Sequence, residues 1–165
     1  MKDHITRVLT KEIHNKTNKV VLCVGTSKCI GDSLGPKVGQ ILSEKINKKD
    51  VYVFGNLKQN LDYKNINIVL KRIYENIEKP YLIVIDSALS NSDYIGNIIV
   101  NKNQIIIGSG LDKNDYKLGN ISIKGVVGKD NKDKFKNFIN LYNVKEELID
   151  ELSNIISNQI INTIV

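Results

Sequence analysis

The chain has few of the residues that mark disulfide-rich, zinc-binding and serine-hydrolase proteins. Its 165 residues include two cysteines, two histidines and two prolines. Two cysteines cannot form the disulfide framework of a small secreted domain, and no cysteine–histidine cluster has the spacing of a zinc site. With so little proline, the chain has no proline-rich linker, and it shows no internal repeat and no low-complexity segment. The sequence therefore predicts neither a disulfide scaffold nor a metal site.

Long apolar runs are also absent. No stretch approaches the roughly 20 apolar residues of a membrane-spanning helix, so no membrane partner is predicted. The N-terminal residues alternate charged with apolar side chains and lack the apolar core of a signal peptide, which favours a cytoplasmic protein. A composition with 41% hydrophobic and 25% charged residues is typical of a folded chain, and 165 residues predict one domain over 1–165.

The positive charge of the chain does not indicate a nucleic-acid partner. The net charge is +6, but only Arg7 and Arg72 among the 24 basic residues are arginines. The lysines are scattered among asparagine and isoleucine instead of being clustered. Because the recognition of phosphates and bases favours the arginine fork, no nucleic-acid binding is predicted.

The hydrophobic pattern predicts an α/β fold. Apolar runs of strand length alternate with segments of helical periodicity over the first half, which indicates parallel pairing. Three β-rich runs with short connections then predict an extension of the sheet with one antiparallel strand. The result is a three-layer α/β/α sandwich with a mixed, mostly parallel sheet. The predicted helices are 2–15, 33–47, 62–78, 132–142 and 143–165, and the predicted strands are 19–25, 51–56, 81–89, 95–102, 104–110 and 119–128.

The letters GDSL at positions 31–34 are the label of a large esterase class in which the serine is the nucleophile. Such a serine needs a general base, usually histidine. Both histidines, His4 and His14, precede the first predicted strand, so Ser33 is predicted to cap the following helix. Cys29 lacks a histidine partner for the same reason. The nearby glycines match neither the phosphate-loop nor the dinucleotide spacing, so no cofactor is predicted.

Two aspartates remain as candidates for catalysis. Asp32 lies in the loop after the first strand, and an apolar run leads directly into Asp86, where the third strand is predicted to end. Ligands bind beyond the carboxyl ends of parallel strands, so both acids are expected in one crevice. Burial would raise their pKa values, so that one carboxylate activates water and the other, protonated, polarises a carbonyl. The structural alternative is that Asp32 caps a helix and Asp86 caps a turn with Ser87.

Three blocks of the chain resemble the YyaC-type spore proteases. They read VLCVGTSKCIGDSLGPKVGQIL (21–42), YLIVIDSALS (81–90) and LGNISIKGVVG (118–128). That family is similar in fold to the germination protease of spore-formers and, more distantly, to hydrogenase maturation endopeptidases. The resemblance implies a phosphorylase/hydrolase-like α/β/α sandwich.

The resemblance also implies roles for single residues. Asp32 and Asp86 stand at the positions of two aspartates implicated in the germination protease, which degrades the small acid-soluble proteins that coat spore DNA. The maturation enzymes add a histidine to bind nickel in their target, whereas this chain has none after His14, so the resemblance favours the spore branch. Lys28 keeps a positive charge where the family has Asp-Arg, and could support an oxyanion. Asn120 replaces a usual Asp, which would alter specificity if that Asp bound substrate.

These observations lead to two main hypotheses about one crevice. The first is a sporulation- or germination-related endopeptidase that acts through Asp32 and Asp86 on a protein or peptide, such as the small acid-soluble spore proteins. The second is a non-catalytic sporulation protein that binds a peptide or protein partner there. A small-molecule hydrolase with a closed pocket is a third alternative, and the oligomeric state is open. The residues predicted to contact the substrate are Gly25, Thr26, Lys28, Gly31, Ser33, Gly35 and Ser87.

Overall fold

The computed structural model describes residues 2–102, 105–107 and 116–164. Within these residues the chain forms five α-helices, two short 3-10 helices and seven strands. None of the helices in the described ranges combines the length and apolarity needed to cross a bilayer. The helices are α1 (Lys2–Ile13), α2 (Leu34–Lys45), α3 (Ile66–Asn76), α4 (Lys134–Tyr142) and α5 (Glu146–Ile164), and the strands are β1 (Asn18–Cys23), β2 (Val51–Phe54), β3 (Pro80–Ser90), β4 (Ile98–Asn101), β5 (Ile105–Ile107), β6 (Tyr116–Leu118) and β7 (Ile121–Lys129).

Five of the strands form one mixed sheet in the order β2-β1-β3-β7-β4. The pairs β1–β2, β1–β3 and β3–β7 are parallel, and β4 runs antiparallel to β7 at the edge. This arrangement confirms the predicted mixed, mostly parallel sheet of an α/β fold. The strands β1 and β3 are neighbours in this sheet, which is the condition for Asp32 and Asp86 to meet.

The prediction that residues 104–110 extend this sheet is wrong for the part that the structure describes. Ile105–Ile107 pairs antiparallel with Tyr116–Leu118 in a separate two-stranded sheet. Both edges of β7 are already occupied by β3 and β4, so the segment satisfies its backbone groups by pairing locally. Residues 103–104, 108–115 and 165, which include parts of the predicted strand 104–110 and of the predicted last helix, lie outside the described residues.

The sheet is buried on both faces because the side chains of its central strands alternate between two apolar clusters. Val21 and Cys23 of β1 belong to the larger cluster, to which α1, α2 and α5 contribute. Val20 and Leu22 belong to the smaller cluster, to which α3 contributes. This double burial explains why β1 reads as a continuous apolar run rather than as an alternating one.

Helix α3 begins four residues later than its predicted start at residue 62. Asp62 and Asn65 form a turn instead, in which the Asp62 carboxylate accepts a hydrogen bond from the Lys64 amide at 2.9 Å. The Asn65 side chain in turn accepts from the Asp62 amide at 3.0 Å. Short polar side chains compete with the helix for backbone groups in this way, so the apolar periodicity runs past the true start of the helix.

The first turn of helix α2 packs closely against the backbone at the end of β1. A Cβ atom on Gly35 would lie 2.1 Å from the carbonyl oxygen of Val24. Gly25, two residues after the end of β1, has a φ of +139°, and a Cβ there would lie 2.1 Å from the carbonyl oxygen of Asp32. Both positions therefore require glycine. Together they hold the Asp32 turn against the end of the central strand.

We expect Gly35→Ala to lower the free energy of unfolding by about 3 kcal/mol, because either the helix or the strand must move to accept the methyl group. The measurement is urea denaturation followed by circular dichroism. Gly128→Ala is the matched control, since its added Cβ would meet only the end of the Leu89 side chain at 3.0 Å. Equal losses in the two variants would contradict this account of the crossing.

Candidate active site

Asp32 is held in a tight turn between β1 and α2. It ends a short 3-10 helix over Ile30–Asp32. Its amide donates to the carbonyl of Cys29 at 3.1 Å, and its own carbonyl accepts from the amide of Thr26 at 3.0 Å. The residue is half-buried. Because the backbone on both sides of Asp32 is hydrogen-bonded, its carboxyl group is fixed at the carboxyl end of the sheet.

Asp86 lies inside β3, so the expectation that Asp86 ends the strand is wrong, whereas the predicted bounds 81–89 agree with β3 (Pro80–Ser90) to within one residue at each end. Strand β3 continues to Ser90 alongside β7. The neighbouring strand β1, however, stops pairing at Cys23, which lies opposite Ile85. Asp86 is therefore the first residue of β3 beyond the end of β1. The apolar run that leads into Asp86 marks the end of the neighbouring strand and not the end of its own.

Ser87 joins the two aspartates. Its hydroxyl donates to Oδ1 of Asp32 at 3.5 Å, and its amide donates to Oδ1 of Asp86 at 2.9 Å. The structure therefore brings together three of the residues that the sequence singles out. Ser87 remains part of the strand, so the structural alternative of a turn capped by Asp86 does not apply.

The two carboxyl groups are electrostatically linked. Burial raises the pKa of Asp32 to about 6, against the opposing effects of hydrogen bonds from the Thr26 backbone and from Ser87. Burial and the neighbouring charge of Asp32 raise the pKa of Asp86 to about 7. The pair therefore titrates as a unit. Around neutral pH it favours states in which one carboxyl is ionised and the other carries a proton.

Lys124 is a site residue that sequence reasoning missed. It lies opposite Asp86 in the β3–β7 register, and its positive charge lowers the pKa of Asp86 against the effect of burial. Lys124 is half-buried, and among the described residues its ammonium group has no hydrogen-bond or salt-bridge partner. The available signal was a lysine in the middle of the apolar run ISIKGVVG, which is an unusual place for a charge.

Asn60 is a second residue that the sequence did not reveal. Its Oδ1 accepts hydrogen bonds from the Thr26 hydroxyl at 3.1 Å and from the Ser27 amide at 3.0 Å. Its Nδ2 donates to the carbonyl of Asn56 at 2.9 Å. Asn60 therefore ties the loop after β1 to the loop after β2. Asparagine in such a loop predicts only a turn, because its long-range partners are not visible in the sequence.

The other predicted site residues have local structural roles. Ser33 is buried, and its hydroxyl donates to the carbonyl of Ile30 at 2.7 Å, so the prediction that its side chain caps α2 is wrong. A Cβ on Gly31 would meet the backbone of Leu141 at 2.7 Å, and Lys28 is exposed. With Gly25, Thr26 and Gly35 these residues line or support the Asp32 turn, and their contact with substrate stays a prediction.

Asn120 lies away from the aspartates. Its side chain accepts from the Leu82 amide at 2.7 Å, and its own amide donates to the Leu82 carbonyl at 2.9 Å. Leu82 is near the start of β3, four residues before Asp86. Asn120 therefore joins the beginnings of β3 and β7. Nothing in this position links the change from Asp to Asn with substrate specificity.

No group of three or more His, Cys, Asp or Glu side chains in the described part of the chain could hold a metal ion. Both cysteines are free and buried. Burial, with a smaller contribution from the charge of Asp32, raises the pKa of the Cys29 thiol, which disfavours the thiolate form. The two carboxyl groups, in contrast, have pKa values close to neutral pH, where they can exchange protons.

Comparisons with known proteins agree with the resemblance and with the fold. A model of the family described as "Protein of unknown function (DUF1256)" matches residues 1–159. The uncharacterized protein YyaC of Bacillus subtilis (strain 168) is 26% identical over 155 residues, which cover 93% of this chain and 74% of YyaC. The NiFe hydrogenase maturation protease HycI from Thermococcus kodakarensis KOD1 has a similar fold, with a TM-score of 0.63 and 16% identity. That likeness covers 94% of this chain and 97% of HycI.

The raised pKa values predict that Asp86→Asn stabilises the protein at high pH. Both carboxyls bind a proton more tightly in the folded protein than in the unfolded chain. Below pH 4 they are protonated in both states and do not lower the free energy of unfolding, whereas between pH 4 and about pH 7 they lower it increasingly. At pH 8 the variant should gain about 1–3 kcal/mol in the free energy of unfolding. At pH 4 it should gain little.

The measurement is urea denaturation of the wild type and of the variant at both pH values. Asp93→Asn, which changes an exposed carboxylate in the short helix after β3, is the matched control. A gain for Asp86→Asn that is the same at pH 4 and pH 8 would show that Asp86 has an ordinary pKa.

Proposed function

The chain belongs to the DUF1256 family, and we propose that it is a peptidase that hydrolyses peptide bonds of a protein substrate through Asp32 and Asp86. The observation that carries the proposal is the pair of half-buried carboxyls linked by Ser87. Their pKa values of about 6 and about 7 place the exchange of a proton between them in the physiological range.

The two aspartates divide the work according to their pKa values. Asp32 has the lower pKa and is the base, which takes a proton from the water that attacks the scissile carbonyl. Asp86 has the higher pKa and is the acid, which gives its proton to the nitrogen of the leaving amine. After one turnover Asp32 carries the proton taken from water and Asp86 has lost its own. Transfer of that proton from Asp32 to Asp86 restores the resting state.

Lys124 sets the balance within this pair. Its position opposite Asp86 holds the pKa of that carboxyl down, so that the proton is still released near neutral pH. Without a cation there, only the hydrogen bond from the Ser87 amide would oppose the effects of burial and of the Asp32 charge on Asp86. Lys124 is therefore assigned as an electrostatic positioning residue and not as a nucleophile.

The likeness to HycI supports a protein as the substrate. HycI is a maturation protease, and its fold matches nearly the whole of this chain. The resemblance to the spore-protease branch narrows the proposal to a sporulation- or germination-related endopeptidase of a spore-forming bacterium. Its proposed substrates are the small acid-soluble spore proteins.

We expect the wild type to cleave a purified small acid-soluble spore protein at pH 7, and Asp32→Asn and Asp86→Asn to lose activity by about 10²-fold or more. Each change removes one half of the acid–base pair. The products are identified by mass spectrometry, with and without a chelator. Asp93→Asn is the control and should cleave like the wild type.

Failure of the folded wild type to cleave would contradict the peptidase proposal for this substrate. Binding of the same protein that survives Asp86→Asn would then favour the non-catalytic alternative. Cleavage that persists in both aspartate variants would also overturn the assignment of the site.

Lys124→Met is expected to move the pH dependence of kcat/KM upward, because the pKa of Asp86 rises when the neighbouring charge is removed. Lys124→Arg keeps the charge and should keep the wild-type pH profile. The readout is the position of the profile along the pH axis, which a merely structural role for Lys124 would not move. Identical profiles for Met and Arg would contradict the electrostatic role.

A further inference from the structure

Helix α4 lies on the protein with its polar side facing inward. Asn137 accepts from the Asn131 amide at 2.8 Å and donates to the Asp130 carboxylate at 2.9 Å. Asn140 donates to the carbonyl of Lys129 at 3.2 Å. These hydrogen bonds hold the helix to the end of β7, and Leu141 is the apolar residue of α4 that packs against the larger apolar cluster. An ordinary surface helix would instead bury its apolar stripe.

The apolar side of α4 faces solvent as a consequence. Phe135 is 72% exposed, Phe138 55%, Tyr142 46% and Ile139 43%. These four positions are spaced three or four residues apart and so lie on one face of the helix. The ring centroids of Phe138 and Tyr142 are 4.8 Å apart. A contiguous exposed patch of this kind is typical of an interaction surface. We call these four residues the α4 face.

The charges at the two ends of the α4 face have opposite signs. Lys134 and Lys136 lie in its first turn, and Glu147 and Glu151 lie in the first turns of α5, directly after α4. All four side chains are exposed, and none of them has an opposite charge as a partner among the described residues. Asp133, the N-cap of α4, reduces the positive charge at the first end, and Lys145, directly before α5, reduces the negative charge at the second. The two lysines with Asp133 sum to +1 and the two glutamates with Lys145 sum to −1, so the ends still differ in sign.

We propose that the α4 face binds the α4 face of a second copy of the chain about a two-fold axis. In such a contact the same patch is used twice, and the helices run antiparallel. The basic start of α4 in one copy then lies near the acidic start of α5 in the other. The aromatic residues of the two helices fill the centre, where aromatic anchors are favoured, and the charges form the rim.

The charge pattern favours a second copy over other occupants. An anionic membrane surface would attract the lysines but repel the acidic start of α5. A different protein would need an apolar stripe with an acidic end opposite the start of α4 and a basic end opposite the start of α5. A second copy of this chain, placed antiparallel, provides both. This proposal does not depend on the proposed peptidase activity.

The test is sedimentation velocity of the whole chain at low salt over a concentration range up to about 300 µM, since a contact centred on one short helix is expected to be weak. We expect a reversible shift from the chain mass of 18.6 kDa towards twice that mass. Phe135→Ser with Phe138→Ser should weaken association at least about tenfold. Ile68→Ser with Tyr74→Ser removes comparable exposed apolar residues from α3 and should have no effect.

Charge reversal gives the decisive comparison. Lys134→Glu with Lys136→Glu should weaken association, and so should Glu147→Lys with Glu151→Lys. The protein with all four changes should recover it, because the opposite charges again face each other across the two-fold axis. Circular dichroism verifies that each variant is folded.

A chain that stays monomeric throughout the concentration range would overturn the proposal, and so would association that the phenylalanine changes leave intact. Failure of the fourfold variant to recover would exclude the antiparallel arrangement. Binding of the monomeric wild type to vesicles of phosphatidylcholine and phosphatidylglycerol, lost in the phenylalanine variant, would assign the surface to a membrane instead.

Discussion

The close crossing of helix α2 over the end of strand β1 determines where the candidate site lies. Gly35 approaches the backbone of Val24, and Gly25 leaves room for the carbonyl of Asp32. Any larger residue at either position would push the Asp32 turn away from the sheet. Because β1 is paired with β3 up to Ile85, the same crossing also places Asp32 beside the first residue of β3 that β1 does not cover, which is Asp86.

Two carboxyl groups in this position are costly to ionise together. Burial raises both pKa values, the charge of Asp32 raises that of Asp86 further, and the nearby cation Lys124 only partly compensates at Asp86. The rest of the structure supplies the stability that tolerates this arrangement: both faces of the sheet are covered by apolar clusters. Such a local cost, held in place by a well-packed scaffold, is typical of a functional site rather than of a structural one.

Local patterns predicted most of the fold and part of the site. The apolar runs located the parallel strands, and the run before Asp86 marked the end of the neighbouring strand β1 rather than the end of β3. Lys124 and Asn60 were missed because their roles depend on cross-strand register and on contacts between loops, which no local pattern contains. The start of α3 was predicted too early because the Asp62–Asn65 turn replaces the first helical turn, and the pairing of 105–107 depends on which sheet edges are free.

The proposed chemistry requires that Asp32 and Asp86 share a proton near neutral pH. The most direct measurement is a ¹³C NMR titration of the aspartate carboxyl groups in the folded wild type, with no substrate present. We expect the carboxyls of Asp32 and Asp86 to titrate in two coupled steps, with apparent pKa values of about 6 and about 7. In Asp32→Asn, the step of Asp86 should move to lower pH because the repelling charge is gone. Titration of both carboxyls near the ordinary value of 3.8 would contradict the account.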